Sequence, residues 1–319
     1  MLASAIVFAC CGVARAAEKL TVRLDFIPVG FHSAMHLANE KGWFAREGLE
    51  VDIQDGTGSL NTIQLVGSGQ VDVGQVQLGV MAIAREKGVP VKSFAGFLRR
   101  GDLGVIVPRG SDMKTVKDLK GKKLLCFSAS PWAPFIDNFL AKGGLDRTSV
   151  DVSMVSPGAM AGIYSSNGAD GILTVEPFGL PIVEKSRPSR SIRLADYGIN
   201  FPSYGLIATE TTIANRRDAL AKLAKVQIET WEYIWNGHVD EAVDALMKSR
   251  SNLKLDRDVV KGQLVLNKDL FDTAATKGKR IGWQSTQDWD MALRDIKAAG
   301  AIASYSKPDD YFTNALLPP

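Results

Sequence analysis

Short apolar runs rich in Val, Ile, Leu and Phe recur along the chain at residues 20–26, 51–53, 71–73, 91–94, 123–127, 150–155 and 171–175. Runs of this length predict buried strands rather than helices. Between them, apolar positions return at helical spacing: from Ser33 to just before Gly42, after Gly58-Ser59, and from about Gly79 to Lys87, where Gly88 stops the pattern. The alternation predicts α/β layers around parallel-rich sheets. Ser130 as an N-cap and Pro131 at the first helical position predict a further helix, with Trp132, Phe135, Ile136, Phe139 and Leu140 on its buried face. From Ala214 onward the pattern turns helical almost throughout. Leu220, Leu223, Ala224, Ile228, Trp231 and Trp235 form a stripe, and Ser285 with Asp288 opens a last helix that Gly300 closes. Trp231, Trp235 and Trp289 read as core at this spacing.

The amino terminus has a different pattern. Leu2 to Val13 is an almost unbroken run of apolar and small residues, and Ala14-Arg15-Ala16 then offers small side chains at the −3 and −1 positions. This predicts a signal peptide cleaved after Ala16 and a periplasmic mature protein. The run of about 12 residues is too short to span a bilayer, which needs about 20. Val7-Phe8-Ala9-Cys10 makes a poor lipobox because Phe8 is bulky, so a lipid anchor is the lesser reading. With Cys10 and Cys11 removed, Cys126 stands alone and no intramolecular disulfide is possible.

Length and composition narrow the class. A chain of 319 residues is enough for about two domains. Hydrophobic residues at 45% and charged residues at 23% are ordinary for a globular protein. The net charge of +3 is spread along the chain, with Lys120, Lys122 and Lys123 as the densest basic run, so no nucleic-acid footprint is present. No floppy linker is visible. The expected organisation is therefore two lobes joined by crossing strands, one from residues 17–103 with 202–319 and the other from 104–201.

The chemistry-bearing motifs of enzymes are missing: there is no nucleophile elbow, no phosphate-cradling glycine loop with lysine and no HExxH. Gly56-Thr57-Gly58-Ser59 reads as a strand-to-helix turn. His32, His36 and Glu40 lie four apart on one helix face, a spacing that suits two imidazoles and a carboxylate on a metal. A stable site needs a further ligand from another element, and no second cluster exists, so neither a metal nor a cofactor is expected.

Several segments resemble one family. They are Leu24-Asp25-Phe26-Ile27-Pro28 with His32, the stretch from Ala38 to Phe44, Glu47 to Val51, and Gly67 to Gly74. Further matches are Lys117 to Lys123, Ala169-Asp170-Gly171, Glu176-Pro177-Phe178 and the C-terminal stretch from Trp289 to Pro318. In this order and spacing they resemble the thiamine-pyrimidine synthase-like solute-binding family, whose relatives bind sulfonates, taurine and nitrate. The resemblance implies a type II periplasmic-binding-protein fold, two α/β lobes with a ligand cleft between them. It implies a monomer that captures one small molecule and delivers it to the membrane permease of an ABC importer. The family's synthase branch carries a lysine and a histidine where this chain has Val76 and Val80. That branch also has a cysteine-rich run where this chain reads Ile199 to Ser203. Without an amine to form a Schiff base with pyridoxal phosphate, the enzyme reading loses its basis.

Ligand contacts are expected at strand-to-helix turns that face the cleft. Phe26 and Pro28 leave the first strand, with Phe26 able to stack on a planar ring. His32 is a candidate donor. Gly58, Ser59 and Asn61 begin a helix whose free N–H groups favour an acceptor. Gln77 and Leu78 follow the third strand, and Ser128, Ser130 and Trp132 follow the fifth. Glu176 would accept hydrogen bonds from ring amino groups, and Tyr204 would add a ring or hydroxyl near the hinge. These choices point to a small planar nitrogen heterocycle of the thiamine-pyrimidine precursor type. A sulfonate, taurine, nitrate or an aromatic acid is the alternative.

Overall fold

The structure, a computed structural model, describes residues 16–128 and 130–319. Apart from Ala16, the signal segment expected at residues 1–16 lies outside the described residues, as do Cys10 and Cys11. No helix among the described residues is long and apolar enough to cross a membrane.

The strands are β1 (Glu18–Leu24), β2 (Leu49–Gln54), β3 (Val73–Gln77), β4 (Val91–Gly96), β5 (Leu103–Pro108), β6 (Lys123–Cys126), β7 (Asp151–Met154), β8 (Gly171–Val175), β9 (Ser189–Arg193) and β10 (Tyr204–Thr209). They form two five-stranded sheets, ordered β2-β1-β3-β10-β4 and β7-β6-β8-β5-β9. The two sheets share one plan. The first three strands in each order are parallel, and the fourth runs antiparallel to both neighbours. That fourth strand is the one the chain enters after crossing over: β5 follows β4 through residues 97–102, and β10 follows β9 through residues 194–203.

Helices cover the sheets. Ser33–Glu40, Arg217–Trp235 and Val239–Ser249 pack around the first sheet. Leu20, Val22 and Leu24 alternate along β1, and all three are buried in this core with Phe94 and Trp231. A second cluster runs through the joint between the lobes, where Phe135 stacks on Phe201 with ring centroids 5.0 Å apart. Trp132 and Trp289 are fully buried in it.

Two sequence expectations shift. The third strand begins at Val73 and runs to Gln77, because Asp72 still belongs to the preceding turn, where its carboxylate accepts the Thr21 N–H (2.8 Å). The helix expected from Ser130 begins only at Ile136 and ends at Lys142. Pro134 is the cause: it lacks the N–H that would close the first helical turn onto the Ser130 carbonyl, and it disfavours helical geometry at Ala133. Residues 130–135 instead form tight turns, with Ala133 N–H on Ser130 O (3.1 Å) and Phe135 N–H on Trp132 O (2.8 Å).

Candidate ligand-binding site

A cavity of about 310 Å³ lies between the sheets. Asp25 and Phe26 follow β1, Gln77 ends β3, Phe127 and Ser128 follow β6, and Thr174 and Val175 end β8, and all of them line it. The cavity therefore sits at the carboxyl ends of the parallel strands, where open α/β sheets bind ligands.

On the first sheet's side, Asp25 organises the wall. Its Oδ1 accepts from His32 Nε2 (3.0 Å), and its Oδ2 accepts from Ser59 Oγ (3.1 Å) and Tyr204 OH (2.9 Å). His32 Nδ1 accepts the Val29 N–H at 3.3 Å, so Nε2 carries the proton given to Asp25. Two glycines bring Ser59 to this carboxylate. A Cβ on Gly56 would sit 2.1 Å from the Leu24 carbonyl oxygen, and Gly58 has φ +142° and donates its N–H to the Asp25 carbonyl (2.6 Å). Burial, followed by the nearby Asp25 charge, raises the Tyr204 phenol well above its ordinary range and keeps it a donor.

Gln77 completes this wall. Its N–H donates to Ser59 Oγ (3.2 Å) and its Nε2 donates to Asp102 Oδ1 (3.0 Å), while its buried Oε1 has no hydrogen-bond partner. Asp102 lies in the first crossing and also accepts from Ser203 Oγ in the second. Burial pushes its carboxyl up to about 7.

The second sheet's side is mostly apolar, with Phe127, Pro157, Met160, Ile172, Phe178 and Ile182 on the cavity beside Ser128, Ser130 and Thr174. Phe178 meets Phe26 edge to face across the cleft, with centroids 5.7 Å apart.

Of the residues singled out in the sequence, Phe26, Gly58, Ser59, Gln77, Ser128, Ser130 and Tyr204 line the cavity. Pro28, His32, Asn61, Leu78, Trp132 and Glu176 do not. Pro28 is buried away from it. His32 is fully buried behind Asp25, and Leu78 is fully buried in the core. Asn61 is exposed and accepts from Thr57 Oγ1 (3.2 Å). Trp132 is core, with its indole N–H on the Thr174 carbonyl (2.9 Å). The expected role of Glu176 is altered by a partner: Arg193 Nε and Nη2 donate to its two oxygens at 2.7 and 3.1 Å. Its carboxylate is occupied by a guanidinium from β9. His32, His36 and Glu40 do not converge either, since Glu40 pairs with Lys248 (2.9 Å) and His32 with Asp25. Among the described residues no group of three His, Cys, Asp or Glu side chains is placed to hold a metal ion. Arg99, a buried cation in the first crossing, is outside the cavity lining and donates to the Arg280 carbonyl (2.9 Å).

Asp25 and Phe178 were missed as site residues. Both had a local signal: Asp25 is a lone carboxylate closing an apolar strand run, and Phe178 follows Glu-Pro at a strand end.

Two sheets of matching topology, two crossings and a cleft cavity define the two-lobed class of binding-protein folds. In solved structures, the periplasmic aliphatic sulphonate binding protein of Escherichia coli is similar, with TM-score 0.72 at 12% identity over 92% of this chain and 91% of that one. The chain belongs to the NMT1/THI5 like family, whose model matches residues 31–241. A formylaminopyrimidine-binding protein of Halalkalibacterium halodurans is 24% identical over 305 residues, 94% of this chain and 91% of the relative. A 4-amino-5-hydroxymethyl-2-methylpyrimidine phosphate synthase of Schizosaccharomyces pombe is 28% identical over 183 residues, but the match spans only 56% of this chain and 52% of the synthase.

Proposed function

We propose that this protein is the extracytoplasmic solute-binding component of an ABC importer, and that its ligand is a small planar nitrogen heterocycle bearing N–H donors. In this reading residues 17–103 with 202–319 and residues 104–201 are the lobes that close on the ligand, and a membrane permease receives it. Binding rather than turnover is supported by the full-length likeness to a binding protein, against the partial likeness to a synthase.

One observation carries the ligand class: the cavity lining holds the Asp25 carboxylate, which keeps one lone-pair position beyond those taken by His32, Ser59 and Tyr204, and Gln77, whose buried Oε1 is unpartnered, beside the Phe26 and Phe178 rings. An amino-substituted ring would donate to these acceptors and pack against the aromatic pair. A sulfonate or nitrate would meet the Asp25 charge instead. Lys87 is the only basic residue among the described residues lining the cavity, and its exposure to solvent weakens its hold on an anion. Calorimetry tests the reading with a formylamino- or hydroxymethyl-aminopyrimidine against alkanesulfonates, taurine, nitrate and aromatic acids. Micromolar binding of a pyrimidine is expected. Binding of a sulfonate or aromatic acid without any pyrimidine would overturn the ligand class and leave the importer role standing. Incubation with pyridoxal phosphate is expected to give no Schiff-base absorbance.

A further inference from the structure

The cavity extends beyond its polar wall. Met160 and Ala161 from helix Pro157–Ser165, Gly179, Ile182 and Val183 from helix Glu176–Glu184, and Ile172 from β8 line the same space. The two faces of the second sheet explain why room remains there. One face packs against Trp132, Phe135 and Phe139. The other holds a much smaller cluster, which includes Ile106, Leu125, Met160, Tyr164 and Ile172. The helix above it reads Pro-Gly-Ala-Met-Ala-Gly-Ile-Tyr-Ser and turns Met160 and Tyr164 inward, with Gly158 and Gly162 on its exposed side. Gly179 has no side chain to add, because a Cβ there would come within 2.6 Å of Thr174 Cγ2.

We infer that this recess is a second subsite, which takes an apolar alkyl or aryl substituent on the ligand. The inference rests on the donor-bearing ring proposed above as the head group. A single pyrimidine ring held at Asp25 and Gln77 is smaller than the cavity of about 310 Å³, and water gains little in the remaining space because the recess side chains are apolar. A substituent that enters it loses water-exposed apolar surface on both sides.

The test uses two series of probes: 4-amino-2-methylpyrimidines with n-alkyl chains of one to five carbons at ring position 5, and benzoates with the same chains. Affinity in the pyrimidine series is expected to rise about fourfold per methylene until the recess is full. Ala161→Phe should flatten that rise, and Met160→Ala should move the optimum to a longer chain. Circular dichroism melts confirm that each variant is folded. If pyrimidines bind with flat or falling dependence on chain length, the recess inference is overturned and the head-group reading stands. If only the benzoates bind, with a chain-length rise that Ala161→Phe removes, the recess stands and the head-group reading falls. Binding by neither series overturns both.

Discussion

The two walls of the cavity come from sheets with the same strand plan, yet the hydrogen-bonded polar network lies on one and most of the apolar surface on the other. The first sheet presents Asp25, Ser59, Gln77 and Tyr204, tied together by hydrogen bonds. The second presents Phe127, Met160, Ile172, Phe178 and Ile182. Topology decides where a ligand sits, because the carboxyl ends of parallel strands converge there. Side chains at the strand exits decide what it is. One wall is built to orient polar groups and the other to exclude water.

The largest effect on this contrast is expected from Asp25→Ala. Losing a charged hydrogen bond costs about 1.5–3 kcal/mol, so the best pyrimidine should bind roughly 10- to 150-fold more weakly by calorimetry. An unchanged affinity would mean that the polar wall does not read the ligand.

Asp102→Asn tests the joint between the walls. The folded carboxyl titrates near 7, raised by burial, while the unfolded one titrates near 4. Between those values the folded protein binds the proton more tightly. The stability that Asp102 contributes is therefore full below about pH 4, falls as pH rises, and levels off above about pH 7. Thermal melts should show wild type losing stability from pH 5 to pH 8, with Asp102→Asn losing less. Each kcal/mol removed appears as about 2–4 °C for a chain somewhat smaller than this one. Equal slopes in both proteins would show that Asp102 does not titrate in this range.

Phe178→Ala should weaken pyrimidine binding about 2- to 10-fold, the size of an aromatic contact of about 0.5–1.5 kcal/mol. Titrating that variant with a ring compound and a non-aromatic amine separates stacking from general packing; equal losses for both would leave stacking without support. Glu176→Gln should leave affinity nearly unchanged, since its carboxylate is taken by Arg193 and Glu176 does not line the cavity. A tenfold loss there would return the carboxylate role to Glu176.

The alternation of strands and helices was legible from residue spacing alone. The β8 run at residues 171–175 coincides with its strand, and the Ser285 side chain caps its helix by accepting from the N–H groups of Gln287 and Asp288. Such features follow from backbone sterics and side-chain spacing over a few residues. Pro134 is equally local, a helix breaker whose steric demand outranks the apolar spacing around it. Which carboxylate faces the cavity was settled by long-range packing. Asp25 owes its place to Tyr204, 179 positions away, and Glu176 loses that role to Arg193 on β9. Local patterns set which residues share a face, whereas partners from distant segments are chosen by how the sheets and crossings bring them together.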